Sequence, residues 1–318
     1  MFTTVVACGV AAFASEPSAT PTPAVSAVPT SVETVADVRV VRGLVYAQPG
    51  GVELKLDLHL PAKPSAGAPR PLLVWIHGGG WQEGGRGFCP LAPLAKEGYA
   101  VASISYRFTQ QAKFPAQLHD AKAAIRWLRA HAADYDFDPA RIGACGESAG
   151  GLLAALLGTS GDVVEVEGAG GTPGVSSRVQ AVVALCPPTD VTLEDADQAR
   201  VPELLKSADP KEVALGKTIR SRAAILEAAL GGPLAEHREL ARLMSPVKYV
   251  SNDDAPFFFV HGDRDFLVPM SQSELMVAAL RRAGVVATLE VVPGAGHGFG
   301  RPKPPLMAKI KAFFDAQL

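Results

Sequence analysis

Val52, Leu54, Leu56, Leu58 and Leu60 alternate with polar residues, the period-2 pattern of a strand buried on one face. The valine-rich segment Val38 to Val45 precedes it, with Gly50-Gly51 between them as a turn. The two are expected to pair as an antiparallel hairpin. Leu72 to Ile76 and Ala100 to Ile104 are continuous apolar runs, which suit strands covered on both faces. From Pro115 to Ala133 the period changes: Leu118, Ala121, Ile125 and Leu128 share one helical face, and Pro115 suits a first turn. Then follow a strand ending at Gly146, a helix from Ala149 to Leu157 and a strand from Val179 to Cys186. Phe257 to Val260 and Thr288 to Val292 read as strands, Ser271 to Ala283 and Pro305 to Ala316 as helices. This alternation predicts an α/β fold: a mainly parallel sheet with helices on both faces and an antiparallel N-terminal hairpin. Sites in such sheets lie at the carboxyl ends of the strands.

Two stretches depart from the rhythm. About seventy residues separate Cys186 from Phe257, far more than the ~12–15 of an ordinary long loop. Their polar-helical pattern predicts a small helical insertion, 191–250, capping the carboxyl edge of the sheet. At the other end, 1–14 is apolar and small, and Ala12-Phe13-Ala14 resembles a cleavage site, although the basic n-region of a signal peptide is missing. Residues 15–34 are almost all Ala, Pro, Ser, Thr and Val, a low-complexity linker with nothing to pack. The folded domain is therefore expected over 35–318, and the chain is expected to be exported to a periplasm or the medium, with a cytoplasmic location if 1–14 is only a tail.

Across 318 residues, 30 Lys and Arg nearly balance 32 Asp and Glu, which argues against a nucleic-acid partner. No apolar run reaches the ~18–20 residues of a membrane span. Cys8, Cys89, Cys145 and Cys186 form no CxxC pair, so neither a zinc site nor a disulfide scaffold is expected. Cys145 and Cys186 read as buried thiols.

The chemistry concentrates in four motifs. Gly146-Glu147-Ser148-Ala149-Gly150 joins a predicted strand to a predicted helix, the context in which a serine is presented on a sharp turn between small residues. His77-Gly78-Gly79-Gly80-Trp81 follows the Leu72–Ile76 strand. Its glycines bring backbone N–H groups close to a reacting atom, and Gly79, Gly80 and the helix-start amide of Ala149 are the candidate oxyanion donors. His77 sits where a side chain would pin the loop and is the weaker candidate for a base. His261-Gly262-Asp263-Arg264-Asp265 ends a strand and offers two carboxylates to orient an imidazole; spacing does not separate Asp263 from Asp265. Gly294-Ala295-Gly296-His297-Gly298-Phe299 presents a histidine on a glycine-rich loop after the last strand. Trp81 and Phe299, next to these motifs, are expected to wall the acyl side of a small site.

In this order HGGGW, GESAGG, HGDRDFLVP and GAGHGF resemble the α/β-hydrolase superfamily over residues 40–318. The similarity is to hormone-sensitive-lipase-like carboxylesterases and to bacterial acetyl-xylan/feruloyl esterases. The resemblance implies Ser148 as nucleophile, His297 as base and Asp265, three residues before Val268-Pro269, as the acid. It maps the oxyanion donors to Gly79 and Gly80. It implies a serine esterase for short-acyl esters, including acetyl or feruloyl groups on plant polysaccharides, with no cofactor and no metal. A linker and hairpin stand where lipase-like members carry a helical N-terminal cap, which implies a small, open acyl site. An amidase or peptidase with the same triad, and a non-catalytic hydrolase-like module, are the alternatives.

Overall fold

The computed structural model describes residues 29–65 and 67–318. The leader expected at 1–14 and most of the linker lie outside them. Nine strands among the described residues form one sheet. They are β1 (Ser31–Val35), β2 (Val38–Ala47), β3 (Leu54–Pro61), β4 (Arg70–Ile76), β5 (Ala100–Ile104), β6 (Phe137–Glu147), β7 (Ala181–Leu185), β8 (Phe257–Gly262) and β9 (Ala287–Val292). The order is β1-β2-β3-β5-β4-β6-β7-β8-β9. From β1 to β5 neighbouring strands are antiparallel; from β5 to β9 they are parallel.

The continuous apolar runs became the parallel strands for the expected reason. Every residue of β5, β7 and β8 is buried, because helices cover both faces. Alternate residues of β4 divide between two cores. Leu72, Val74 and Ile76 pack with residues of α1 (Ala116–Ala130), α2 (Ala149–Thr159) and α6 (Ser271–Arg282). Leu73 and Trp75 face Ile310 and Phe314 of α7 (Pro304–Gln317). Register then aligns the functional loops: Ile76 lies opposite Gly146, Glu147 opposite Leu185, and Leu185 opposite Val260. The chain therefore leaves β4, β6, β7 and β8 along one edge.

The insertion holds α3 (Glu194–Lys206), α4 (Pro210–Leu230) and α5 (Arg238–Leu243). Helix α4 starts where Asp209 accepts a hydrogen bond from the Lys211 amide at 2.8 Å, with Pro210 in the first turn, and stops at Gly231 with φ 94°. One boundary differs from expectation. Residues 31–34, expected in the linker, join Val35 in an edge strand that pairs with β2. All five residues are exposed, so this strand is held by backbone hydrogen bonds and a Glu33–Arg42 ion pair. It carries no hydrophobic pattern that a reading of the sequence would detect. No helix among the described residues is long and apolar enough to cross a membrane.

Candidate active site

Ser148 occupies the turn between β6 and α2 with φ 56° and ψ −118°. A non-glycine residue there stores roughly 1–3 kcal/mol of strain. The turn is held because the Ser148 N–H donates to Leu185 O at 2.8 Å and its carbonyl accepts from Leu152 N–H at 3.0 Å. The flanking glycines leave no room for substitution. A Cβ on Gly146 would collide with the Gly150 carbonyl, and one on Gly150 with the carbonyls of Ile76 and His77.

His297, on the loop between β9 and α7, brings Nε2 to 2.8 Å from Ser148 Oγ. Its Nδ1 donates to Asp265 Oδ2 at 2.7 Å. Of the two carboxylates that spacing left level, Asp265, the one the resemblance implied, meets the imidazole, whereas Asp263 is exposed and accepts from the Gly294 N–H at 2.6 Å, at the base of the histidine loop. Asp265 Oδ1 accepts from the amides of Leu267 and Val268 at 3.0 and 2.9 Å. Burial alone would raise its pKa. Hydrogen bonds from His261 and His297, the charge on His297 and the Val268 amide outweigh that and hold the carboxyl well below its usual range.

The glycine loop after β4 lies against the elbow, and a Cβ on Gly78 would stand 3.4 Å from Ser148 Cβ. The Gly79 carbonyl accepts from the amides of Gln82 and Glu83. The N–H groups of Gly79, Gly80 and Ala149 find no acceptor among the described residues. Positive φ at Gly79 (112°) and Gly80 (59°) turns the backbone as an L side chain would resist. His77 is buried and stacked on Tyr106 with centroids 4.4 Å apart, its Nδ1 donating to Gly78 O at 2.8 Å. Burial lowers its pKa, and it sits as the pin of the loop. Trp81 is buried, and its indole N–H donates to Ala149 O at 3.1 Å, tying the loop to the first turn of α2.

Ser148 stands between two cavities. The smaller, about 310 Å³, is walled by Trp81, Val191, Leu226 and Val268, with Glu194, Asp197 and Arg222 of α3 and α4 also lining it. The larger, about 930 Å³ and more open, is lined by the glycine loop, Phe88, Glu147 and His297. Ile225 and Leu267 border both. Phe299, expected on the acyl wall, lines neither. It is only partly buried and packs against the core on the α7 side of the sheet, the cluster that holds Ile310 and Phe314. Two residues after His297, the chain has already turned toward α7.

Three side chains at the site carry no role there on sequence grounds, Cys186 reading only as a buried thiol. Glu147 Oε2 accepts the amides of Phe299 and Gly300 at 2.7 and 3.1 Å, clamping the histidine loop to the elbow. Its position inside the serine motif was the available signal. His261 is fully buried; Nδ1 meets Ser273 Oγ at 2.7 Å and Nε2 lies 2.9 Å from Val268 O and 3.3 Å from Asp265 Oδ2. Cys186 is also buried, with φ 40° and its thiol pushed up by burial. With Asp265 and His297 it forms the one group among the described residues whose three metal-capable atoms lie within 4.8 Å of one another. There the imidazole and carboxylate are already hydrogen-bonded to each other. Cys89 and Cys145 are buried free thiols as well.

A family model described as BD-FAE matches residues 56–280. Esterase LipC of Mycobacterium tuberculosis is 32% identical over 246 residues, which are 76% of this chain and 54% of LipC. The chain spans about half the length of the curated relatives it matches first. Among solved structures, a bifunctional GH43-CE protein of Bacteroides eggerthii aligns with a TM-score of 0.71 and 31% identity, over 89% of this chain and 38% of that one. A truncated carbohydrate esterase from gut microbiota aligns with a TM-score of 0.69 and 28% identity, over 92% of this chain and 98% of that one.

Proposed function

The chain belongs to the BD-FAE family and has the α/β-hydrolase fold, and from that premise we propose that it is a carboxylic ester hydrolase working through Ser148, His297 and Asp265. The observation that carries this reading is the continuous Ser148–His297–Asp265 hydrogen-bond relay, 2.8 and 2.7 Å long. Ser148 Oγ attacks the ester carbonyl carbon while its proton passes to His297 Nε2. The carbonyl oxygen, now an anion, is received by the amides of Gly79, Gly80 and Ala149. Collapse of the tetrahedral intermediate breaks the ester C–O bond, and His297 hands its proton to the departing alkoxide. Water, deprotonated by the same imidazole, then releases the acid and restores Ser148. Asp265 keeps the imidazole in the tautomer that accepts at Nε2.

The acyl half fits the 310 Å³ cavity, roughly twice the ~150 Å³ that admits a benzene ring. Acetyl to butyryl groups fit with room to spare, and a feruloyl ring is not too large. A long alkyl chain would instead have to lie against Glu194, Asp197 and Arg222, forfeiting about 0.8 kcal/mol for each methylene left unburied. For the alcohol half we propose a carbohydrate, as on an acetylated or feruloylated polysaccharide. The support is the likeness to a carbohydrate esterase and the open second cavity.

A fluorophosphonate probe should label the protein and fail to label Ser148→Ala. Among nitrophenyl esters of two to sixteen carbons, kcat/KM should peak by butyryl and collapse by ten. A peak at ten or beyond, or hydrolysis of the matching amide as fast as the ester, would overturn the reading.

A further inference from the structure

The two cavities are not equivalent with respect to the reaction, and their difference locates the leaving group. The departing oxygen takes its proton from His297 Nε2, so the alcohol must lie on the side His297 lines. His297 borders the 930 Å³ cleft and does not line the 310 Å³ cavity. Ile225 and Leu267, which border both, form the partition between acyl and alcohol. On the alcohol side the cleft presents Phe88, a ring 47% exposed to solvent, together with Gln82, Glu83 and Gln110.

From this arrangement we infer that Phe88 is the platform on which a sugar ring of the alcohol half stacks, next to the ester bond being cut. The inference rests on the ester-hydrolase reading above. A pyranose or furanose carries an apolar C–H face and a rim of hydroxyls. Phe88 offers the matching aromatic face, whose quadrupole attracts such C–H groups. Gln82 and Gln110 offer amide donors and acceptors, and Glu83 a carboxylate acceptor, for hydroxyls that both donate and accept. A flat apolar alcohol would use the ring and leave those three groups unsatisfied by the ligand. A small alcohol such as ethanol would reach none of them. The cleft is thus suited to a polyhydroxylated ring, and Phe88 is the specificity residue that recognises its face.

The test compares acetylated methyl xyloside with ethyl acetate, the same acyl group on two alcohols, in the intact protein. The wild type should favour the xyloside in kcat/KM. Phe88→Leu, which keeps apolar bulk and removes the aromatic face, should lower the xyloside-to-ethyl ratio by ten-fold or more, mainly through KM. Phe88→Tyr should restore the ratio to within three-fold of wild type. An unchanged ratio in Phe88→Leu, or an equal loss in Phe88→Tyr and Phe88→Leu, would overturn the inference. The parent reading fails separately: it falls if neither ester is cleaved, or if cleavage persists in Ser148→Ala.

Discussion

Beneath the reacting centre, main chain lies on main chain. Gly150 packs against the carbonyls of Ile76 and His77, Gly146 against Gly150, and a Cβ on Gly78 would stand 2.9 Å from Glu147 O. Above it, α3 and α4 meet through side chains. Gly216 faces Leu204 and Leu205, and the polar lining is an Arg222–Glu194 pair at 2.6 Å with Asp197 on the same guanidinium. Backbone contacts have no rotamers with which to adjust, so the lower layer holds Ser148, the glycine loop and the histidine loop in one geometry, as the proposed oxyanion and proton-transfer chemistry would demand. Side-chain contacts can repack at modest cost. The helical layer can therefore change what is bound without disturbing what is done to it.

That contrast is tested first where the largest loss is expected. Ser148→Ala and His297→Ala should each reduce kcat by ~10⁴-fold or more, with melting temperatures close to wild type. Near-native turnover in either variant would remove the triad from the lower layer. Next, Asp265→Asn should cost ~10³–10⁴-fold, because an amide permits the wrong imidazole tautomer. Asp263→Asn keeps an acceptor for the Gly294 amide and should stay within about ten-fold; steady-state kinetics in the reverse order would exchange their roles.

Glycine replacements compare the two layers directly. Gly150→Ala forces a methyl into two carbonyls and should destabilise by about 3 kcal/mol. Gly216→Ala, in α4, meets Leu204 Cβ at 3.0 Å and Leu205 Cδ2 at 3.2 Å. That crowding offsets the ~1 kcal/mol helix-propensity gain, so the net change should stay within about 1 kcal/mol. Urea melts with equal losses at the two positions would erase the distinction between layers. The smallest loss of turnover expected at the site itself concerns the clamp on the histidine loop. Glu147→Ala should lower kcat by about ten- to a hundred-fold, since two amides lose their acceptor. Glu147→Gln retains one oxygen that can receive both amides and should recover most of that loss. If Ala and Gln variants behaved alike in kcat, the clamp would not depend on an acceptor at that position.

Much of this was legible in the chain itself. Buried parallel strands announce themselves as unbroken apolar runs, and Ser148, Gly79, Gly80 and His297 stand in short motifs whose glycines mark turns. Such signals are local, which is why they survive in one dimension. Edge strand β1, with every residue exposed, has no such signal, and Phe299 was misplaced because two residues of loop suffice to turn a ring to the other face of the sheet.

The sequence by itself determined the order of strands and helices from β2 onward outside the insertion, the strand-to-helix turn at Ser148 and the set of residues from which a triad could be drawn. Spacing left Asp263 and Asp265 level and the motif resemblance pointed to Asp265; only the tertiary structure put Asp265 on His297, gave Glu147 the histidine loop to hold, and divided the space around Ser148 into two unequal cavities. Each of these depends on groups far apart in the chain: Glu147 meets Phe299 across 152 residues, and Ser148 meets His297 across 149. Hydrogen bonds and cavity walls require positions fixed to a few tenths of an ångström, and periodicity along a chain specifies which face a residue takes, not which distant atom it will meet.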